Sequence, residues 1–347
     1  MTFSFFDDAP TGAVTGGVRQ LQVYLQVNGA NLTVLDAEAI QRAARESSTL
    51  SATIALDDNP GFDEDFWLVQ APIQAALFVS AGGLSGTLVS GKLDKGAVDL
   101  DTRTVKVSGR DMSGALHEMK ASKSWINQTP SQIVQELAGM AGLAANASGL
   151  SLMAGKLFQI DYTKIANDVS LSQIIHKLGE FEGARWWVKD STLYYQPPDQ
   201  ATGAYPVVYS KPQNGGPAGG NFLKLNIDRN MVLAQGATVN VAGWHQKKEQ
   251  TIKSTQGSGP ATYNFEIHNL EQDHADQYAK AKHSDIMLHQ FTVTAEMVGD
   301  PTIDIGQQLS LSGTPADNTY TIDSIHHQIG DHGYTMTIEA RGSSGGS

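Results

Sequence analysis

The order of patterned segments in the middle of this chain constrains its fold most. Thr104-Val-Lys-Val-Ser alternates as a strand and ends at Gly109-Arg110-Asp111. Thr129-Pro-Ser-Gln132 then carries the residues of a helix start: an N-cap, a proline at the first turn and a glutamine that can bond back. Ile133, Val134, Leu137 and Met140 fall on one helical face, and Gly142 is placed to stop it. Ser170-Leu-Ser-Gln173 repeats the signal ahead of Ile174, Ile175, Leu178 and Phe181, with Gly183 as the stop. Arg185–Lys189 and Thr192–Gln196, flanking Asp190-Ser191, read as a hairpin that Pro197-Pro198 closes. Two capped helices and a hairpin make a small α+β unit.

β-patterning lies on both sides of it. Before it, Gln20–Asn28, Leu50–Leu56, Thr87–Leu93 and Thr104–Ser108 alternate apolar and polar residues, with turn chemistry at Asp57–Gly61 and Ala81–Gly83. After a Gly/Pro-rich connector come Leu223–Ile227, Ala237–Ala242, Phe291–Ala295, Gln307–Leu311, Tyr320–Ile325 and Tyr334–Ala340, with one helix near Asp273–Leu288. Short strands in such number predict sandwiches or small barrels. Thr104–Arg110 and Thr335–Arg341 also echo each other: each follows a strand across a Gly/Asp turn and ends in arginine. The expected organisation is a flexible arm at 1–17, a first β-barrel at 18–118, an α+β insertion at 119–212, a second β-barrel at 213–342 and a flexible Gly/Ser tail at 343–347.

Composition narrows function by exclusion. With no cysteine among 347 residues, disulfides, thiolate zinc sites and cysteine nucleophiles are out. A net charge of -12 opposes nucleic-acid binding, which needs clustered Lys and Arg. No apolar run is long enough for a membrane-spanning helix, and Met1–Asp8 lacks the basic region of a signal peptide. Gly86-Thr-Leu-Val-Ser-Gly-Lys92 mimics a phosphate loop, but Leu93 stands where a hydroxyl is required and the segment alternates as a strand. His283 and His289, and His326, His327 and His332, lack metal-ligand spacing and read as surface or interface residues, with His326 and His327 on opposite strand faces. Glutamates such as Glu180 and Glu182 leave a glycan-cleaving acid pair open, yet their helix-end position suits surface residues better. No catalytic, cofactor or metal residue is assigned.

Three features remain as architectural candidates. Gly109, Arg110 and Asp111 are expected to turn the chain out of its strand and fix the exit by an ion pair. Trp186 and Trp187, adjacent on a strand, face opposite sides, so one indole is either an exposed interface anchor or, like the other, covered within this domain. Gly306 ends the segment Gly299-Asp-Pro-Thr-Ile-Asp-Ile-Gly306.

The whole order, with Ile133–Leu137, Ile174–Leu178, Gly183–Val188, Leu193–Tyr195 and Gly299–Gly306, resembles the late control gene D family of phage tail baseplate hubs. It is also similar to the N-terminal hub region of the type VI secretion protein VgrG. The resemblance, over about residues 18–342, implies a β-rich α+β fold: two small tail-tube-like barrels flanking the insertion. It implies a homotrimer whose six barrels form a pseudo-sixfold ring between a hexameric tail tube and a trimeric spike, with tape measure and baseplate wedge proteins as further partners. Unlike VgrG, the chain carries no needle after its second barrel, so the spike is expected to be a separate protein, and the setting a virion baseplate assembled in the host cytoplasm. Tail-tip adhesin and tail-associated peptidoglycan hydrolase are the alternatives.

Overall fold

The structure, a computed structural model, describes residues 21–43, 46–123, 125, 128–148, 169–212 and 218–343. The expected arm at 1–17 and residues 344–347 of the tail lie outside them. Six strands open the described chain: β1 (Leu21–Val27), β2 (Ala30–Arg42), β3 (Thr49–Ala55), β4 (Ile73–Ala81), β5 (Leu84–Asp99) and β6 (Thr104–Asp111). A short helix, α1 (Glu64–Val69), separates β3 from β4 and is capped by the Asp63 carboxylate. The strands pair antiparallel in the order β1-β4-β5-β6-β3-β2, and β1 returns to β2, closing a ring. Alternation puts Leu25, Ile54, Leu77, Val79, Val105 and Val107 inside, all fully buried.

The insertion follows: α2 (Gly114–Glu118), β7 (Lys120–Ala121), α3 (Pro130–Met140), β8 (Ala144–Ala147), β9 (Val169–Ser170), α4 (Leu171–Glu182), β10 (Arg185–Lys189) and β11 (Thr192–Gln196). Both expected helices start where their caps place them. Thr129 and Gln132 exchange hydrogen bonds in a complete capping box, whereas at α4 only the Ser170 side chain accepts, from the Gln173 amide. Gly183 ends α4 in the left-handed region at φ 76°, a conformation glycine adopts without cost. The apolar faces of α3 and α4 meet over the sheet β10-β11-β8 around Ile133, Leu137, Ile174, Trp186 and Tyr195.

A second β unit completes the chain: β12 (Ala204–Ser210), β13 (Gly219–Gly220), β14 (Lys224–Arg229), then β15 (Ala237–His245), β16 (Gln250–Gln256), β17 (Ala261–Glu266) and α5 (Gln272–Leu288), then β18 (Phe291–Val298), β19 (Gln308–Ser312), β20 (Asn318–Gly330) and β21 (Gly333–Gly342). Segments β15–β17 form a separate three-stranded sheet against α5, a second excursion that the strand pattern alone had assigned to the barrel. It docks on the insertion through Phe181, while the Lys282 ammonium donates to Glu180 at 2.8 Å. Strand β12, which the sequence reading placed in the insertion, pairs with β19.

Apart from the two-residue β13, which pairs with the end of β12, the strands left after this excursion repeat the first unit. Their order is β12-β19-β20-β21-β18-β14, which is the first ring's order with each strand replaced by its counterpart in chain sequence. The echo between Thr104–Arg110 and Thr335–Arg341 is therefore one strand position occurring twice. Hairpins β5–β6 and β20–β21 slip register at the same place, between Leu93 and Lys95 and between Ile322 and Ser324. The skipped residue is an aspartate each time: Asp94 accepts from Arg110 Nε at 2.7 Å, and Asp323 accepts from Arg341 Nε.

The expectation of two barrels is corrected in one respect. β12 runs parallel to β19, whereas its counterpart β1 runs antiparallel to β4. Reversed in this way, β12 cannot continue into β14 by a hairpin, and among the described residues β14 pairs only with β18. The first unit closes and the second stays open. The C-terminal half of β2 pairs with β20, so both units belong to one 13-stranded sheet.

Gly109 departs from its expected role. It lies within β6, and a Cβ there would stand 2.1 Å from the Lys92 carbonyl oxygen; one at Gly91 would stand 1.9 Å from that of Arg110. The two glycines let β5 and β6 cross at contact distance beside the register slip. Gly109→Ala is expected to cost about 1–3 kcal/mol by overpacking, read as a lower urea midpoint. The matched control Gly139→Ala in α3, where a Cβ meets nothing within 4 Å, should leave stability unchanged or raise it by roughly 0.5–1 kcal/mol.

Candidate functional site

The residues singled out by sequence converge on the junctions between the β units and the insertion. Arg110 and Asp111 do not pair with each other. The Arg110 guanidinium spans β5 and α2, donating to Asp94 at 2.7 Å and Glu118 at 2.8 Å, and these carboxylates hold its pKa above the ordinary arginine value. Asp111 is buried, accepting from the amides of Ser48 at 3.1 Å and Ser113 at 3.0 Å. Burial raises its pKa, partly opposed by these hydrogen bonds. Arg110 thus fixes the insertion's first helix against the ring, and Asp111 ties the end of β6 to the start of β3.

Of the two readings of the tryptophan pair, the structure shows both indoles buried. They face opposite sides, but each side is covered within the chain. Trp186 enters the core of the insertion. Trp187 enters the core of the second β unit, stacked on Tyr194 with ring centroids 5.3 Å apart. It lies over Gly306, where a Cβ would approach the Trp187 ring to 2.8 Å. Gly306 is thus a seat for the indole. Around it Lys189 pairs with Asp304, and Arg185 donates to the Ile322 carbonyl. Burial draws the Arg185 pKa down to about 10, against the attraction of Asp323. The Ser90 hydroxyl donates to Asp190 at 3.0 Å, bringing the first unit to the same hairpin.

The third junction is the β2–β20 seam, where Ala37–Arg42 faces Ile329–Ser324 antiparallel. His326 and His327 do point to opposite faces. His326 pairs with Glu38 at 2.5 Å beside an open groove of about 420 Å³ lined by Arg42, Glu46, Asp323 and Glu339. His327 is fully buried, not a surface residue, and its Nδ1 shares a hydrogen bond with the Tyr334 hydroxyl at 2.9 Å. Burial and then the neighbouring His326 lower its pKa to about 3.

The groups that invited enzymatic readings are engaged in packing. Glu182 is buried and accepts from the Tyr195 hydroxyl at 2.7 Å; burial and this carboxylate raise the Tyr195 pKa. Gly86–Lys92 lies inside β5. Among the described residues no cluster of three or more His, Asp or Glu could hold a metal, and no helix is long and apolar enough to cross a membrane. Signals for the Trp187–Gly306 contact and for the paired aspartates were absent from local pattern, since both depend on strands far apart in sequence.

The fold as a whole is similar to that of solved phage tail proteins. The chain matches a 43 kDa tail protein of prophage MuSo2 from Shewanella oneidensis over 92% of its own length and 97% of that chain, with TM-score 0.65 and 14% identity. A tail protein of Neisseria meningitidis MC58 matches over 92% and 96%, with TM-score 0.68 and 13% identity. An Escherichia coli component of the type VI secretion system, itself structurally similar to the T4 tail proteins gp27 and gp5, matches over 92% and 77%, with TM-score 0.56 and 13% identity. No protein-family model and no curated protein matches the sequence.

Trp187→Ala should cost about 3–5 kcal/mol in urea unfolding and Gly306→Ala about 1–3 kcal/mol. The double variant should cost less than their sum, because the methyl occupies space the indole leaves; strict additivity would refute the contact. The lowered His327 pKa makes the unfolded state the better proton acceptor below its ordinary pKa of 6.5, so stability falls as pH drops from 6.5 towards about 3. At pH 4.5 the loss from this one group is roughly 2–3 kcal/mol. His327→Phe should flatten the pH dependence of the urea midpoint by that amount.

Proposed function

We propose that this chain is the structural hub of a contractile-tail baseplate. Three copies form a pseudo-sixfold ring that joins a hexameric tail tube to a separate trimeric spike and leaves a central conduit. The observation that carries this reading is the repeated unit: one strand order occurs twice in one chain, so three chains present six related β surfaces. A threefold assembly of such chains meets sixfold symmetry on one side and threefold symmetry on the other. The tail-protein fold and the similarity to a type VI component support the same setting, in the virion or a related contractile particle. The acidic balance favours a conduit that does not retain DNA. The buried or ion-paired state of Glu180, Glu182 and His327 supports a structural role over a hydrolytic one.

Light scattering of the full chain across concentration, alone and with the spike of the same particle, tests the proposal. The expected mass is that of three chains, reached either alone or on adding the spike. A single-chain mass under all these conditions would overturn it.

A further inference from the structure

The β2–β20 seam has a counterpart on each chain with both halves exposed. Register fixes the equivalences. Ala39 of β2 faces Leu50 of β3, as Ile227 of β14 faces Val293 of β18. Leu50 and Val293 in turn face Gly109 and Ala340, each one residue before the arginine of its repeat. Ala37–Arg42 of β2 therefore corresponds to Leu225–Asn230. Likewise Ser324 faces Glu339 just after the slip in β20, as Lys95 faces Ser108 just after the slip in β5. Ser324–Ile329 thus corresponds to Lys95–Leu100.

Within the chain the first member of each set pairs with the second member's counterpart, Ala37–Arg42 with Ser324–Ile329. Among the described residues the remaining two have no strand partner on that side. β4 leaves β5 at Leu93, so among the described residues Lys95–Asp99 pairs only with β6, and β14 pairs only with β18. Both edges carry apolar groups that the inner seam buries. Leu100 is 62% exposed where its equivalent Ile329 is 7% exposed. Met231, following β14, is 74% exposed, whereas Ala43 in the equivalent place packs on the second unit's core. α1, which packs on β5, exposes Leu68 and Val69 nearby. Unpaired edges of this length invite strand addition.

We propose that β14 of one copy pairs antiparallel with Lys95–Leu100 of the next copy, in the register that β2 and β20 use within the chain. Asp228 then faces Ala97, Ile227 faces Val98 and Leu225 faces Leu100. One residue past the templated run, Lys224 faces Asp101, an opposite-charge pair. The contact is head-to-tail, so it propagates until the ring closes; closure at three copies rests on the hub reading above, while the strand pairing does not.

The absence of native cysteine allows a direct test. Ala97→Cys and Asp228→Cys alter exposed positions. The double variant, oxidised mildly at concentrations where light scattering shows assembly, is expected to give a covalent ladder ending at three chains. The two single variants mixed should stop at two chains, and each alone should give none. The control pair Lys106→Cys with Asp228→Cys, placing one thiol at the exposed Lys106 one strand further from the proposed edge than Ala97, should not cross-link. A ladder continuing past three would keep the strand pairing and overturn the closed trimer. A three-chain mass without cross-linking would overturn the pairing and keep the hub. Single chains with no cross-link, with or without spike, would overturn both.

Discussion

The antiparallel seam between β2 and β20 is the contact on which this architecture depends. It joins two β units by main-chain hydrogen bonds, whose directionality fixes their relative orientation more strictly than apolar packing alone would. Its inward side chains, Ala39, Ile325 and His327, are fully buried. A slip of one residue would turn this set outward and put Glu38 and His326 into the core. Behind the seam, the Tyr334 hydroxyl and the buried His327 imidazole share a hydrogen bond that ties β20 to β21.

The other junctions are subordinate to the seam and stiffen it. Arg185 reaches from the insertion to the Ile322 carbonyl and Asp323, and Arg341 holds that same aspartate from β21. In the first unit the equivalent aspartate, Asp94, is held by Arg110, which also reaches Glu118. One bulge-and-arginine device therefore serves both units but is wired to different places: α2 in one case and the insertion's hairpin in the other. The insertion touches both β units through side chains that sequence marks as unusual, Arg110, Trp187 and Gly306.

Much of this was legible in sequence because its causes are local. Thr129 and Ser170 cap helices with bonds three residues away, and Asp190-Ser191 closes a two-residue turn. The repeat showed as an echo because its hairpin keeps a similar pattern. Other features were illegible for physical reasons. β2 carries Asp36 and Glu38 within a strand whose register shifts at Val34–Asp36, which breaks strict alternation. β15 alternates as well as any barrel strand, yet pairs with β16 and β17, and pattern says nothing of which sheet a strand joins. The burial of Trp187 needed the second β unit in place before a strand face that seemed free could be seen as covered. Glu182 and His327 looked solvated by residue type, and only tertiary contacts show otherwise.

The bonded pair Glu38 and His326 is separated by 288 positions along the chain. A growing polypeptide completes its first ring, closed by β1 on β2, long before β20 leaves the ribosome. Through that interval the C-terminal half of β2 is a finished strand without its partner. Neighbouring chains on one message each present the same edge, and β20 of any of them matches it as well as the native segment does. Intramolecular closure competes through effective concentration alone, a quantity the long connection reduces only slowly with length. The fold therefore carries a built-in route to exchanged, domain-swapped species, governed by synthesis rate and crowding of nascent chains rather than by the stability of the finished protein.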